Sequence, residues 1–302
     1  KQSTCINPYK LFHLDNSPNN LLKIANYFYR NKYIKNVKEL PYVKKKKIHI
    51  GYFSADFKAH PVMYLIKRML QLHDTSIFNI YIYSFASKED EYTKELKNGK
   101  FSFISINNIS DLEVVKIARE DKLDIAIDLM GYTKHNRMNI FSHRVAPIQI
   151  SYLGYPGTTG SSEIDYLIGD KVLIPDNYRK YYSEKVIHMP NCYMPFNNKM
   201  TDSTKKFFKN DFDLPEKSIV LAAFHKNSKI TKKEIYSWSR ILERLPLSVI
   251  WISNMNDTAK SNLLRFFENQ GVKSKRIHFC KRLDSRNAHL ARHSCADLFI
   301  DT

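Results

Sequence analysis

From Lys47 to Leu129 short apolar runs alternate with segments of helical periodicity: KIHIGYFS, PVMYLIKRMLQLH, FNIYIYSF, a helix near YTKELKN, FSFISI, DLEVVKIARED and LDIAIDL. The apolar runs are continuous, as expected of strands covered by helices on both faces. One helix between each pair of strands predicts a parallel α/β sheet. After a loop-rich stretch from about Asp170 to Asp213 the alternation restarts with SIVLAAF, TKKEIYSWSRILERLP, SVIWIS, AKSNLLRFFENQG, RIHFC, DSRNAHLARHSC and DLFIDT. The expected fold is therefore α/β, with two doubly wound Rossmann-like domains and a ligand cleft between them, outside the carboxyl ends of the strands. The predicted bounds are a helical connector over 1–46, an N-terminal domain over 47–200 and a C-terminal domain over 201–302. A parallel strand at the very end should lead into a further loop and helix, so the second domain reads as incomplete.

Composition narrows the function classes. The 302 residues are 43% hydrophobic and 13% aromatic, enough for a substantial core. No apolar run approaches the roughly 20 residues that cross a bilayer, and KQSTCINPYK lacks signal-peptide order, so a cytoplasmic location and no membrane partner are expected. Cys5, Cys192, Cys280 and Cys295 are scattered, without CxxC or paired His spacing, and read as reduced thiols with no metal site. The net charge of +18 would suit a nucleic acid. Against that, Lys outnumbers Arg on helix faces that read as solvated, and the densest run, Lys44–Lys47, reads as a linker before a strand.

Glycine is concentrated at one place. Gly154, Gly157 and Gly160 are three of only eight glycines, within IQISYLGYPGTTGSSEIDY. Pro156 presets its own φ, Gly157 is expected to take the positive φ of a type II turn, and the Thr158 and Thr159 hydroxyls are expected to point outward. Such a loop suits a ligand, and equally suits a tight turn between strands.

Other candidates stand where strands give way to helices. In GYFSADFKAHPV, Ser54, Asp56 and His60 follow the first strand, and His60 directly precedes Pro61, a favourable first helical residue. A helix N-terminus disfavours imidazolium and keeps the ring available as acceptor or base; a purely structural N-cap is the alternative. Asp128 closes LDIAIDL, and Gly131, Tyr132 and Thr133 follow; Asp124 shares its direction in a regular strand. A carboxylate there could position a proton or a sugar hydroxyl, or serve as a cap. Lys229, just before a helix, could face a phosphate. Arg286, His289 and Arg292 stand at three-residue steps, suited to a nucleotide or to solvent. GxxxxGKS/T, GxGxxG and HExxH do not occur. Two doubly wound units, a Gly-Pro-Gly loop and cations in the second unit together suggest a transferase using a nucleotide sugar.

In order along the chain, GYFSADFKAHPV, DLMGYTKHNRMNIF, RVAPIQISYLGYPGTTG, IDYLIGD, YYSEKVIHMP, LAAFHKNSKITKKEIYSWSRILERLPLSVIWI and HLARHSCADLFIDT resemble the O-GlcNAc transferase family, most closely its bacterial members, over nearly all of 47–302. The resemblance implies a GT-B fold and transfer of N-acetylglucosamine from UDP-GlcNAc to Ser or Thr hydroxyls of proteins, with inversion and without a metal or other cofactor. It places His60 at the family's His-Pro histidine, now treated as a binding or orienting residue, and Thr133 with Gly154, Tyr155, Pro156 and Gly157 near donor sugar and acceptor. It places Lys229 at the lysine that stabilises the departing diphosphate, and Arg286 and His289 at ribose and uracil. The family more often has Lys where Arg286 stands and Tyr where Ser228 stands. His60, Asp128 and a water relay all remain open as the general base. The N-terminal segment resembles the connector that follows tetratricopeptide repeats, which are expected in the intact protein. Beyond the matching Asp-Thr the family has a His-Thr-Thr helix N-terminus that cradles the diphosphate, so this 302-residue piece is expected to bind nucleotide weakly and turn over little. A related reading is a Spindly-like O-fucosyltransferase using GDP-fucose, whose plant members tend to have His where Tyr132 stands. A third is a basic nucleic-acid-binding or scaffold protein that keeps the fold without catalysis.

Overall fold

The computed structural model describes residues 6–12, 14–15, 17–33, 40, 43–196, 206–283 and 285–302. Contacts divide the chain into two compact units, 1–198 and 199–302. The predicted boundary at 200/201 and Cys5 lie outside the described residues; Cys192, Cys280 and Cys295 are free thiols.

The first unit opens with helices α1 (Pro8–Leu11) and α2 (Pro18–Lys32) and continues as β1 (Ile48–Ser54), α3 (Pro61–Gln71), β2 (Phe78–Ser84), α4 (Glu91–Lys97), β3 (Ser102–Ser105), α5 (Asp111–Glu120), β4 (Ile125–Asp128), α6 (Met138–Ser142), β5 (Ile148–Ser151), β6 (Tyr166–Gly169) and β7 (Lys185–His188). All seven strands pair in parallel in the order β3-β2-β1-β4-β5-β6-β7. The order reverses direction between β1 and β4, and this switch point is where an open α/β sheet leaves room for a ligand. Ser54 pairs with Ser84 and Ser84 with Ser105, while Asp128 pairs with Phe53 and Ser151, so each apolar run ends on a small or polar residue at one common edge.

Local signals place the helices. In α3, His60 caps, Pro61 starts the first turn, and Val62, Met63, Ile66 and Leu70 make the buried stripe. Ser110 caps α5, which buries Val114, Val115 and Ala118. On one side of the sheet Phe53 stacks on Tyr83 at 4.3 Å and meets Phe141 of α6. The core on that side also takes in Phe28 and Tyr29 of α2, so this helix packs into the first unit.

The second unit runs β8 (Ile219–Ala223), α7 (Lys232–Arg244), β9 (Ser248–Ser253), α8 (Asp257–Asn269), β10 (Ile277–Cys280), α9 (Arg286–Ala291) and β11 (Leu298–Phe299). Its strands are parallel in the order β10-β9-β8-β11, with the same reversal between first and fourth strands. Thr231 and Glu234 form a capping box for α7, whose Ile235, Trp238 and Leu242 face the core. The alternation read from the sequence is therefore present in both units; α6 and β7 are additions to it. No helix among the described residues is long and apolar enough to cross a membrane.

Candidate active site

In the first unit the candidates gather on the carboxyl edge around the β1/β4 switch point. β1 ends on Ser54, whose buried hydroxyl accepts the Asp56 N–H at 2.9 Å in the loop that follows. His60 caps α3: its Nδ1 accepts the Val62 N–H at 3.3 Å and lies 3.4 Å from Asp56 Oδ2. A neutral ring bonded in this way holds its proton on Nε2, so it presents a donor on its half-exposed side. Burial raises the Asp56 carboxyl above its ordinary value, with the charges of His60, Lys58 and His135 opposing.

Asp128 closes β4 and turns inward. It is 3% exposed, and its two oxygens accept the Met130 N–H at 2.9 Å and the Gly131 N–H at 2.8 Å. Burial raises its pKa to about 6 against the lowering effect of those two bonds. The geometry is that of a side chain shaping the turn that carries Thr133, which is half-buried and donates its hydroxyl to the Met130 carbonyl at 2.8 Å. Asp124 is at the opposite edge, accepting the His49 N–H and pairing with Lys45 at 2.9 Å, so the run around Lys45 is tied to the sheet.

The glycine loop differs from its sequence reading in three respects. The left-handed residues are Leu153 (φ 65°) and Gly160 (φ 66°), not Gly157. Thr158 and Thr159 are 4% and 0% exposed and turn to the buried carboxylate of Glu184 instead of outward. Tyr155 is a core residue, packed against Phe12 and Tyr132. What demands glycine is close approach: a Cβ on Gly154 would lie 1.9 Å from the Leu129 carbonyl oxygen, and one on Gly157 would lie 2.5 Å from the Phe12 ring. Gly154 and Pro156 remain partly accessible. Gly131 and His135, on the neighbouring turn, are left-handed like Leu153 and Gly160; of these four only Leu153 and His135 carry backbone strain.

Carboxyl-edge loops also carry the candidates of the second unit. Lys229 ends a single 3-10 turn, Asn227–Lys229, between β8 and the capped start of α7, and is exposed. A groove of about 440 Å³ lies between this loop and α8, over Ile235, Leu263 and Phe266; its apolar floor does not suit a diphosphate. Arg286 begins α9, and His289 follows one turn later, 6.0 Å from the Phe224 ring and 4.9 Å from the His293 ring. Burial first, then the charges of Arg292 and His293, push the His289 pKa down to about 4, so its ring is neutral at ordinary pH. Arg292 is not beside Arg286 and His289 at the surface: it is 4% exposed, sits 4.4 Å over Phe224 and donates to the Lys281 carbonyl. Sequence reading passed over Phe224 and His293 here and Glu184 in the first unit. The YYSEK motif was the available signal for Glu184. Among the described residues no group of three or more His, Cys, Asp or Glu is placed to hold a metal ion.

A family model described as glycosyl transferase family 41 matches residues 20–206 and 198–302. A probable UDP-N-acetylglucosamine-peptide N-acetylglucosaminyltransferase, SEC, of Arabidopsis thaliana is 32% identical over 263 residues, 85% of this chain. A protein of the same description, SPINDLY, of Solanum lycopersicum is 30% identical over 271 residues, 86% of this chain. The chain spans 27% and 28% of the lengths of these relatives. A mutant of the O-GlcNAc transferase of Thermobaculum terrenum superposes with a TM-score of 0.87 at 24% identity, covering 98% of this chain and 57% of that one. The fold is of the GT-B type, as the sequence motifs implied.

Proposed function

Because the chain belongs to glycosyl transferase family 41, we propose that the protein transfers N-acetylglucosamine from UDP-GlcNAc to Ser or Thr hydroxyls of proteins, with inversion at the anomeric carbon. The observation that carries this reading is that His60, Thr133, Gly154 and Pro156 follow strands β1, β4 and β5 at the carboxyl edge of the first sheet, about its β1/β4 switch point, where such sheets bind ligands. In the reaction the acceptor oxygen forms a bond to C1, the C1–phosphate oxygen bond breaks, and UDP leaves with the bonding pair. Lys229, exposed on its loop, stabilises the charge that grows on the diphosphate. Arg286 and the neutral His289 take the nucleoside, the imidazole against the Phe224 ring.

His60 and Thr133 orient the sugar and acceptor. His60 Nδ1 is engaged by the Val62 N–H and lies beside the Asp56 carboxylate, which leaves Nε2 to face the substrate. Both Asp128 oxygens are committed to the backbone as well. These local bonds favour a water relay for the proton of the acceptor hydroxyl over direct transfer to either side chain.

The full-length protein, given an acceptor mixture and a panel of nucleotide sugars, should add the mass of an N-acetylhexosamine from UDP-GlcNAc. Lys229→Met should lower kcat by about a hundredfold or more, with UDP affinity changed far less. Deoxyhexose added from GDP-fucose would replace the donor in this reading, and no transfer from any donor would sink it. The relatives named SPINDLY keep the fucose arm in the panel. Tyr132 does not read the sugar directly, being 1% exposed with its hydroxyl donated to the Thr159 carbonyl.

A further inference from the structure

We propose that Glu184 is a positioning residue for glycosyl transfer, holding the Gly-Pro-Gly loop in register with the β4 turn; this rests on the transferase reading above. Glu184 lies just before β7, at the edge of the sheet, and is 4% exposed. Its Oε2 accepts the Thr158 hydroxyl at 2.8 Å, and its Oε1 accepts both the Thr159 N–H, at 2.7 Å, and the Thr159 hydroxyl. All three donors are neutral groups of the glycine loop itself. A carboxylate is suited to the position because it can accept at every lone pair and donates nowhere.

The connection continues toward the candidate site. The Thr159 carbonyl accepts the Tyr132 hydroxyl, and the Tyr132 carbonyl accepts the Asn7 amide at 3.1 Å. Gly154 lies against the Leu129 carbonyl, and Gly131 against Tyr155. On the other side of the loop Glu163, 5% exposed, accepts the hydroxyls of Tyr29 from α2 and of Ser162. One buried carboxylate thus sets the relative position of two loops that strands β4 and β5 only begin. If those loops shift, the acceptor hydroxyl loses its aligned approach and water can take its place.

Glu184→Gln keeps the size but turns one acceptor into a donor facing Thr158 Oγ1, which already accepts the Ser183 N–H at 3.1 Å. Thr159→Val removes a hydroxyl from the same link, and Thr159→Ser retains it. In the full-length protein the decisive quantity is the ratio of UDP-GlcNAc hydrolysis to transfer, because a ratio per active molecule is unaffected by the folded fraction. It should rise about fivefold or more in Glu184→Gln and Thr159→Val and stay within about twofold of wild type in Thr159→Ser, with UDP affinity within about twofold in all three. Amide exchange over 152–161, measured without ligand, should be faster in Glu184→Gln. An unchanged ratio together with unchanged exchange would overturn the positioning role. Should wild type transfer nothing from UDP-GlcNAc, the proposed function fails by itself, and unchanged exchange then separately overturns the positioning of the loop.

Discussion

His60 and Asp128 are both open as proton acceptors in the sequence, and in the fold both hydrogen-bond to nearby backbone. His60 Nδ1 accepts the Val62 N–H, and the two Asp128 oxygens accept the Met130 and Gly131 N–H groups. For Asp128 burial outweighs those bonds, raising its pKa from 3.8 to about 6. Between these values the folded chain holds a proton that the unfolded chain has released, so stability falls as pH rises through the window, by about 3 kcal/mol in all. Below the window both states are protonated and above it both are ionised, so the contribution is flat on either side. A carboxamide in its place would not titrate. Asp128→Asn should therefore gain on wild type by about 3 kcal/mol between about pH 4 and about pH 7, read from urea unfolding at each pH. A stability difference independent of pH would contradict the buried, proton-retaining carboxyl.

Among the elements, the glycine loop shows how much was legible and where legibility stopped. Its strands, its edge of the sheet and its need for glycine were readable from IQISYLGYPGTTG. The reason for each glycine was not, because the limiting atoms belong to Leu129, Phe12 and Ala25, remote in sequence. Gly154→Ala would drive a Cβ onto a backbone carbonyl that cannot move aside, and should lower stability by about 3 kcal/mol or more. Gly271→Ala, at φ +77° with no atom within 4 Å, should cost only about 1 kcal/mol from backbone strain. Equal thermal shifts for the two variants would refute close approach as the constraint on Gly154. Strand β7 escaped sequence reading for a related reason. KVIH is only four residues, with its side chains exposed or half-buried, and it becomes a strand by pairing with β6. α6 is five residues long without a side-chain cap, held by burial of Met138, Ile140 and Phe141.

For the molecule as a whole, the charge of +18 is a property of all 302 residues and acts on both units. Like charges within each compact unit repel, and salt shortens their range from about 30 Å at 0.01 M to about 8 Å at 0.15 M. The melting temperature of this chain should therefore rise over that range of ionic strength; a fall would mean that attractive pairs such as Arg144–Asp165 and Arg137–Asp111 dominate. The sequence alone determined the parallel α/β architecture, the restart at the second unit and the loops at the strand ends, because periodicity and apolar runs are local properties. Tertiary structure decided what the side chains on those loops do. Whether Thr158 faces solvent or Glu184, whether Tyr155 meets a ligand or Phe12, and whether Asp128 takes up a proton or holds a turn all depend on groups that strand pairing brings together. Desolvation then fixes each choice, since a polar group taken out of water must find its partner within the fold.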